Sequence, residues 1–197
     1  MDKIIFKVKP YIQELFTRRT PSFLKYHNLA HTEKVVERTI EISKASPVPL
    51  HDRDFYSVIT AAWFHDTGHL FNELKDHEQA SADLMAAYLK SFQIEDSIIN
   101  EAAGCIMATR VPSNPKTDLE QIICDADTYH FGTKEFLETD SMVYAELEER
   151  LKIHIENKTR ESINLLESHQ FYTAYCRDLL DKGKKENIAK LRRLLYN

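Results

Sequence analysis

Apolar residues recur every three to four positions along most of the chain, and no stretch alternates convincingly with the period of a β-strand. Ile4, Val8, Tyr11, Ile12, Leu15 and Phe16 predict a first helix over 4–18, with Pro10 as a kink or break. Thr20-Pro21-Ser22 marks a turn. Thr32, Val35, Val36, Thr39, Ile40 and Ser43 predict a second helix over about 28–43, closed by Pro47 and Pro49. His31 leads into that stripe, and His27 stands four residues before it. A third helix, capped from within 51–54, carries Phe55, Val58, Ile59, Ala62, His65 and Asp66 and stops at Gly68. Asp76 and Gln79 read as a capping box for a fourth helix bearing Ser81, Leu84, Tyr88 and Phe92. A fifth spans about 95–109. A sixth, capped by Asp118, runs through Leu119, Ile122, Ile123, Ala126 and His130 to Gly132.

Longer polar helices are expected over about 141–158 and 161–180, followed after Gly183 by a short basic helix over 184–195. In the first of these, Tyr144, Leu147, Leu151 and Ile155 form the expected core stripe. Glu146, Glu148 and Glu149 form the expected solvated face. Eight or nine helices without a strand define an all-α class. With 197 residues, the expectation is one domain.

Composition narrows the classes further. A net charge of −5 gives no electrostatic reason to expect nucleic-acid binding, and the basic C-terminal end balances an acidic body. No apolar run reaches the ~18 residues of a membrane span, and 1–7 lacks a signal-peptide core, so a cytoplasmic protein is expected. Cys105, Cys124 and Cys176 are widely spaced and read as small buried thiols. Histidine is the informative residue type: His27, His31, His65, His69 and His77 all precede residue 78.

The stretch Ala61-Ala62-Trp63-Phe64-His65-Asp66-Thr67-Gly68-His69 sets an imidazole and a carboxylate at the end of an apolar wall, where a bound cation would compensate them. His31, His65, Asp66 and a later aspartate can be gathered into one site. Imidazole with carboxylate suits a divalent ion such as manganese, iron, nickel, zinc or magnesium. Two aspartates compete for the last place. Taking ~100° per residue, Asp127 lies roughly 80° from the apolar centre of its helix and Asp125 roughly 120°. The angle favours Asp127.

The ordered set His31, His65-Asp66 and an aspartate within Ile123-Cys124-Asp125-Ala126-Asp127 resembles the HD-domain superfamily of metal-dependent phosphohydrolases. Tyr26-His27-Asn28 before His31-Thr32, His65 through His69, and His77-Glu78 with Ser81 match as well. The likeness covers about 22–135, leaving helical N- and C-terminal extensions, and implies a multi-helix orthogonal bundle. Family members tend to place the last ligand in an Ala-Asp pair, which again selects Asp127. The resemblance implies His31, His65, Asp66 and Asp127 as metal ligands. It also implies hydrolysis of a small phosphate monoester or diester, often a nucleotide, with a metal-bound water as nucleophile. Asp66 would both ligate and orient that water. His69 and His77 are candidates to hold phosphate or protonate the leaving group, and Lys34 and Arg110 to contact phosphate.

Departures from relatives restrict the reading. The Glu-Asp pair of the alarmone hydrolases is absent after Gly68, where Leu70-Phe71-Asn72-Glu73 stands. The lysine that cyclic-dinucleotide phosphodiesterases carry is replaced by His69, and no paired histidine closes the fifth helix, so one ion is favoured over two. If His69 and His77 complete a second site, a di-iron oxygenase becomes the alternative. A non-catalytic nucleotide-binding module is the other. The expected partner is a small phosphate substrate, with neither nucleic acid nor membrane, and a homodimer is compatible with the sequence.

Overall fold

The computed structural model describes residues 2–71 and 74–196, and side chains within 7–71 and 74–195. The side chain of Ile4, and Asn72 and Glu73, lie outside the described residues. Among those described there are nine α-helices and no strand: α1 (Asp2–Arg19), α2 (Leu29–Ala45), α3 (Asp52–Phe64), α4 (His77–Lys90), α5 (Asp96–Ala108), α6 (Asp118–Asp127), α7 (Phe136–Leu151), α8 (Lys158–Ser168) and α9 (Ala174–Tyr196). Short 3-10 turns follow α3 (Thr67–Phe71) and α6 (Tyr129–Gly132).

The fold is organised around α3. Every residue from Ser57 to Phe64 is buried, so this segment has no solvent face. Helices α1, α2, α4, α5 and α6 pack around it. Its C-terminal end therefore delivers His65 and Asp66 into the interior. One apolar cluster runs from Val8 in α1 to Leu191 in α9. Helix α1 passes through Pro10 without interruption. An interior proline costs about 3 kcal/mol, but Val8, Ile12 and Phe16 on the same face are all buried. Each such side chain contributes ~1.5–3 kcal/mol, enough to outweigh the proline.

Local chemistry corrects several expected boundaries. Thr117, not Asp118, caps α6, its Oγ1 accepting from the Glu120 N–H at 3.2 Å. The Asp76–Gln79 capping box does not form. Asp76 is left-handed (φ 59°) and its carboxylate accepts from Arg110 at 2.6 Å, while Gln79 pairs with Asp83. Gly68 has no positive φ. It is required because a Cβ there would collide with the His77 carbonyl, where the 3-10 turn crosses the start of α4.

The expected helix over 161–180 is split between α8 and α9, because the Asp125 carboxylate captures the backbone N–H groups of Tyr172 (2.8 Å) and Thr173 (2.7 Å). Thr173 then accepts from the Cys176 N–H and starts α9. Gly183 lies inside α9 instead of preceding it, since a Cβ at that point would strike the Gly132 carbonyl. Helix α7 begins earlier than expected and ends at Leu151, capped by Lys152, whose φ of 53° is left-handed. Leu151 is largely exposed and Ile155 falls beyond the helix, so the expected stripe holds only at its N-terminal end.

All three cysteines are free and buried, and burial pushes the Cys176 thiol up to about 12, which favours the protonated thiol. No helix among the described residues is long and apolar enough to cross a membrane.

Candidate metal centre

Three helix ends meet at one point. His31 stands on the first turn of α2, where the Asn28 side chain accepts from the N–H groups of Ala30 (2.9 Å) and His31 (3.2 Å) and fixes the entry of the helix. His65 and Asp66 follow α3 directly, and Asp127 is the last residue of α6. Nε2 of His31 lies 3.2 Å from Asp66 Oδ2 and 3.2 Å from Asp127 Oδ1. Nε2 of His65 lies 3.1 and 3.6 Å from the same two oxygens, and 3.4 Å from His31 Nε2. Two nitrogens and two oxygens thus face a common centre, as the sequence spacing of His31, His65, Asp66 and Asp127 anticipates.

The electrostatics of this cage require positive charge. Nδ1 of His65 donates to the Ala62 carbonyl at 2.9 Å, so a neutral His65 presents an Nε2 lone pair to the carboxylates. Asp66 Oδ2 is buried and accepts no hydrogen bond of good geometry, despite two ring nitrogens close by. Both carboxylates also sit at helix C-termini, the negative ends of α3 and α6. Burial opposes protonation of His65, but the charges of Asp66 and Asp127 overcome it and raise its pKa well above the ordinary value. His31 is raised in the same way, with Asp127 the stronger partner. Against the opposing effect of burial, the imidazoles hold both aspartates below the usual carboxylate range. Protons on the two histidines would balance the two carboxylates, and so would a single divalent cation, which the donor set suits. His31, His65 and Asp127 could hold a metal ion, with Asp66 bridging toward a second cluster formed by His27, Asp66 and His69.

Beyond the cage opens a cleft of about 460 Å³, lined by His27, Asp66, His77, Arg110 and Asp127 among others. Asp66 Oδ1 faces it, 3.7 Å from His77 Nε2 and 4.0 Å from His69 Nε2. The rings of His69 and His77 stack at 3.9 Å. Burial above all pushes His69 down to about 3, so this ring is neutral near pH 7. Arg110 stands at the mouth and pairs with Asp76 (2.6 Å) and Glu78 (3.4 Å). Lys34 lies elsewhere. It borders a smaller pocket of about 220 Å³ on the other side of His31 and pairs with Glu135 at 2.9 Å.

Asp125 points away from the cage. Its carboxylate accepts from Tyr172 N, Thr173 N and Thr173 Oγ1, all within 2.8 Å.

The expected solvated face of α7 is wrong at its first member. Glu146 is 1% exposed and bonds to His27, which lines the cleft. Its Oε2 accepts from the N–H groups of Tyr26 (3.0 Å) and His27 (3.1 Å), and its Oε1 from His27 Nδ1 (2.7 Å). Against the cost of burial, these bonds hold Glu146 down at about 2. Arg150, one turn later, reaches His69 Nδ1 at 2.9 Å. A glutamate followed four residues on by arginine is equally common on solvated helices, so the spacing carried no signal that this pair is buried.

Comparison with family models, curated proteins and solved structures finds no match to this chain.

Proposed function

We propose that the chain is a metal-dependent phosphohydrolase acting on a small phosphate ester, with nucleotides the favoured class. One observation carries the reading: a buried cage of two imidazole nitrogens and two carboxylate oxygens opens directly onto a cleft with basic groups at its rim. His31, His65, Asp66 and Asp127 would hold the ion. A divalent cation there supplies charge for phosphate oxygens and lowers the pKa of a water.

The remaining work falls to the protein's own groups. Asp66 Oδ1, turned to the cleft, can accept a hydrogen bond from the attacking water and orient it. His69 and His77 lie within reach of the same oxygen and can donate to the substrate. Arg110 and Lys75 line the cleft, and Arg110 would exchange Asp76 for a phosphate group. A cleft of about 460 Å³ is in the size range of small-molecule sites. Lys34 serves this reading poorly, because its pocket lies on the far side of His31. The likeness of the His31, His65-Asp66, Asp127 pattern to the HD superfamily supports the same reaction class.

Metal analysis of the purified protein, followed by a turnover screen with added manganese that reads phosphate release from mono-, di- and triphosphates and monophosphate formation from cyclic nucleotides, tests the proposal. Turnover that depends on metal and is lost in His65→Ala is expected. A His65→Ala variant with full metal-dependent activity would refute it. The second cluster around His27 and His69 favours one other reading, a di-iron oxygenase, which oxygen consumption and an iron chromophore would reveal.

A further inference from the structure

Glu146 and Arg150 stand one turn apart on α7, with side chains only 1% and 3% exposed. Each touches a different histidine through Nδ1, and with opposite hydrogen-bond polarity. The Glu146 carboxylate can only accept, so His27 Nδ1 carries the hydrogen and donates to Oε1 at 2.7 Å. The guanidinium of Arg150 can only donate, so His69 Nδ1 must accept from Nη1 at 2.9 Å. The hydrogen of a neutral His69 is therefore on Nε2, the nitrogen that faces Asp66 Oδ1 across 4.0 Å. Arg150 is itself tethered, with Nη1 3.6 Å from Glu146 Oε1 and its guanidinium over the Phe23 ring at 5.2 Å.

His27, Asp66 and His69 bring ligand atoms close enough for a second cation. A metal ligand needs a lone pair, and the contact with Arg150 removes the one His69 would offer. We propose that Arg150 is a positioning residue that locks His69 as an Nε2–H donor, so that this second cluster receives an anionic oxygen of the substrate and not a second metal ion. The inference rests on the phosphohydrolase reading and adds to it a division of labour. The cage of His31, His65, Asp66 and Asp127 takes the cation, and the His69 side of Asp66 takes the phosphate.

The lock can be read without metal or activity. Nitrogen-15 imidazole spectra of the metal-free protein should show His69 protonated at Nε2. Arg150→Lys, which still donates, should keep that form. Arg150→Met should give a mixture or the Nδ1–H form. Manganese titration should saturate at one ion per chain in wild type and in His69→Gln alike. Inorganic phosphate added to the protein loaded with magnesium, a diamagnetic ion, should shift the His69 Nε2–H resonance. With a turned-over substrate, Arg150→Met should lower kcat/KM by about 10–100-fold, the loss expected when a supporting group or one oxyanion donor is removed.

Nδ1-protonated His69 in the wild type would overturn the proposal. So would two ions per chain with one lost in His69→Gln, or a His69 resonance indifferent to phosphate. If Arg150→Met does not fold, the wild-type spectrum and the His69→Gln stoichiometry still decide. A wild type that binds no ion and releases no phosphate defeats the phosphohydrolase reading, and the spectrum alone then decides whether the lock exists.

Discussion

Asp125 and Asp127 are two residues apart on the last turn of α6, and they do opposite things. Asp125 is fully buried and its carboxylate is filled by donors: two backbone N–H groups and a hydroxyl from the segment that starts α9. Asp127 faces two imidazole nitrogens that one aspartate cannot satisfy alone. Burial raises the pKa of Asp125 despite its hydrogen bonds, whereas His31 and His65 outweigh burial at Asp127 and lower it. Identical chemistry on one helix thus splits into an anchor and a candidate ligand. What separates them is whether the partners already carry the hydrogens that the carboxylate needs.

The largest effect should come from Asp127→Ala. Metal-dependent turnover should fall by about 10³-fold, equivalent to the several kcal/mol of charge stabilisation that a correctly held ion supplies. Manganese at 100 times its Kd should stabilise the wild type by about 2.7 kcal/mol and the variant scarcely at all, as thermal melts with and without metal will show.

Asp125→Ala should invert that pattern. Stability should drop by about 2–4 kcal/mol in urea unfolding, because the N–H groups of Tyr172 and Thr173 lose a charged acceptor. Manganese affinity should stay near that of wild type. Equal losses of affinity in the two variants would erase the distinction between anchor and ligand.

The smallest effect concerns the same C-terminal anchor. Lys184 donates to the His169 carbonyl at 2.6 Å and approaches its Nδ1 at 3.4 Å, while His169 Nε2 lies 3.0 Å from Thr128 Oγ1. Burial, aided by the Lys184 charge, pushes His169 down to about 4 from 6.5. Below pH 6.5 the unfolded chain takes up a proton that the folded one refuses until pH falls to about 4. Stability contributed by this group is therefore intact above pH 6.5 and declines through that window. Unfolding free energies from urea titrations at pH 7 and pH 5 should differ by roughly 1 kcal/mol more in wild type than in His169→Gln, a figure reduced for partial exposure. An unchanged difference would remove His169 from the anchor.

Much of the candidate site was legible in the sequence. Helical periodicity gave the direction of His31 and the preference for Asp127 over Asp125. The apolar run before His65 announced that its end would be buried. Glu146 and Arg150 were not legible, because a helix pattern ranks a glutamate by its own polarity. Here the backbone N–H groups of Tyr26 and Tyr26's neighbour His27, over a hundred residues away in sequence, supply the donors that let it be buried. Gly183 misled for a related reason. As punctuation it ends helices, but against Gly132 it lets α9 continue through a crossing too close for a side chain.

The chain alone determined which segments are helical and which residue types could bind a cation, since both follow from local periodicity and side-chain chemistry. Only the tertiary structure decided which nitrogen of each histidine faces inward, which carboxylates are already satisfied, and where helices approach within a glycine's width. Those properties depend on partners distant in sequence, and a hydrogen-bond donor acts on a buried group only once folding has brought it within about 3 Å.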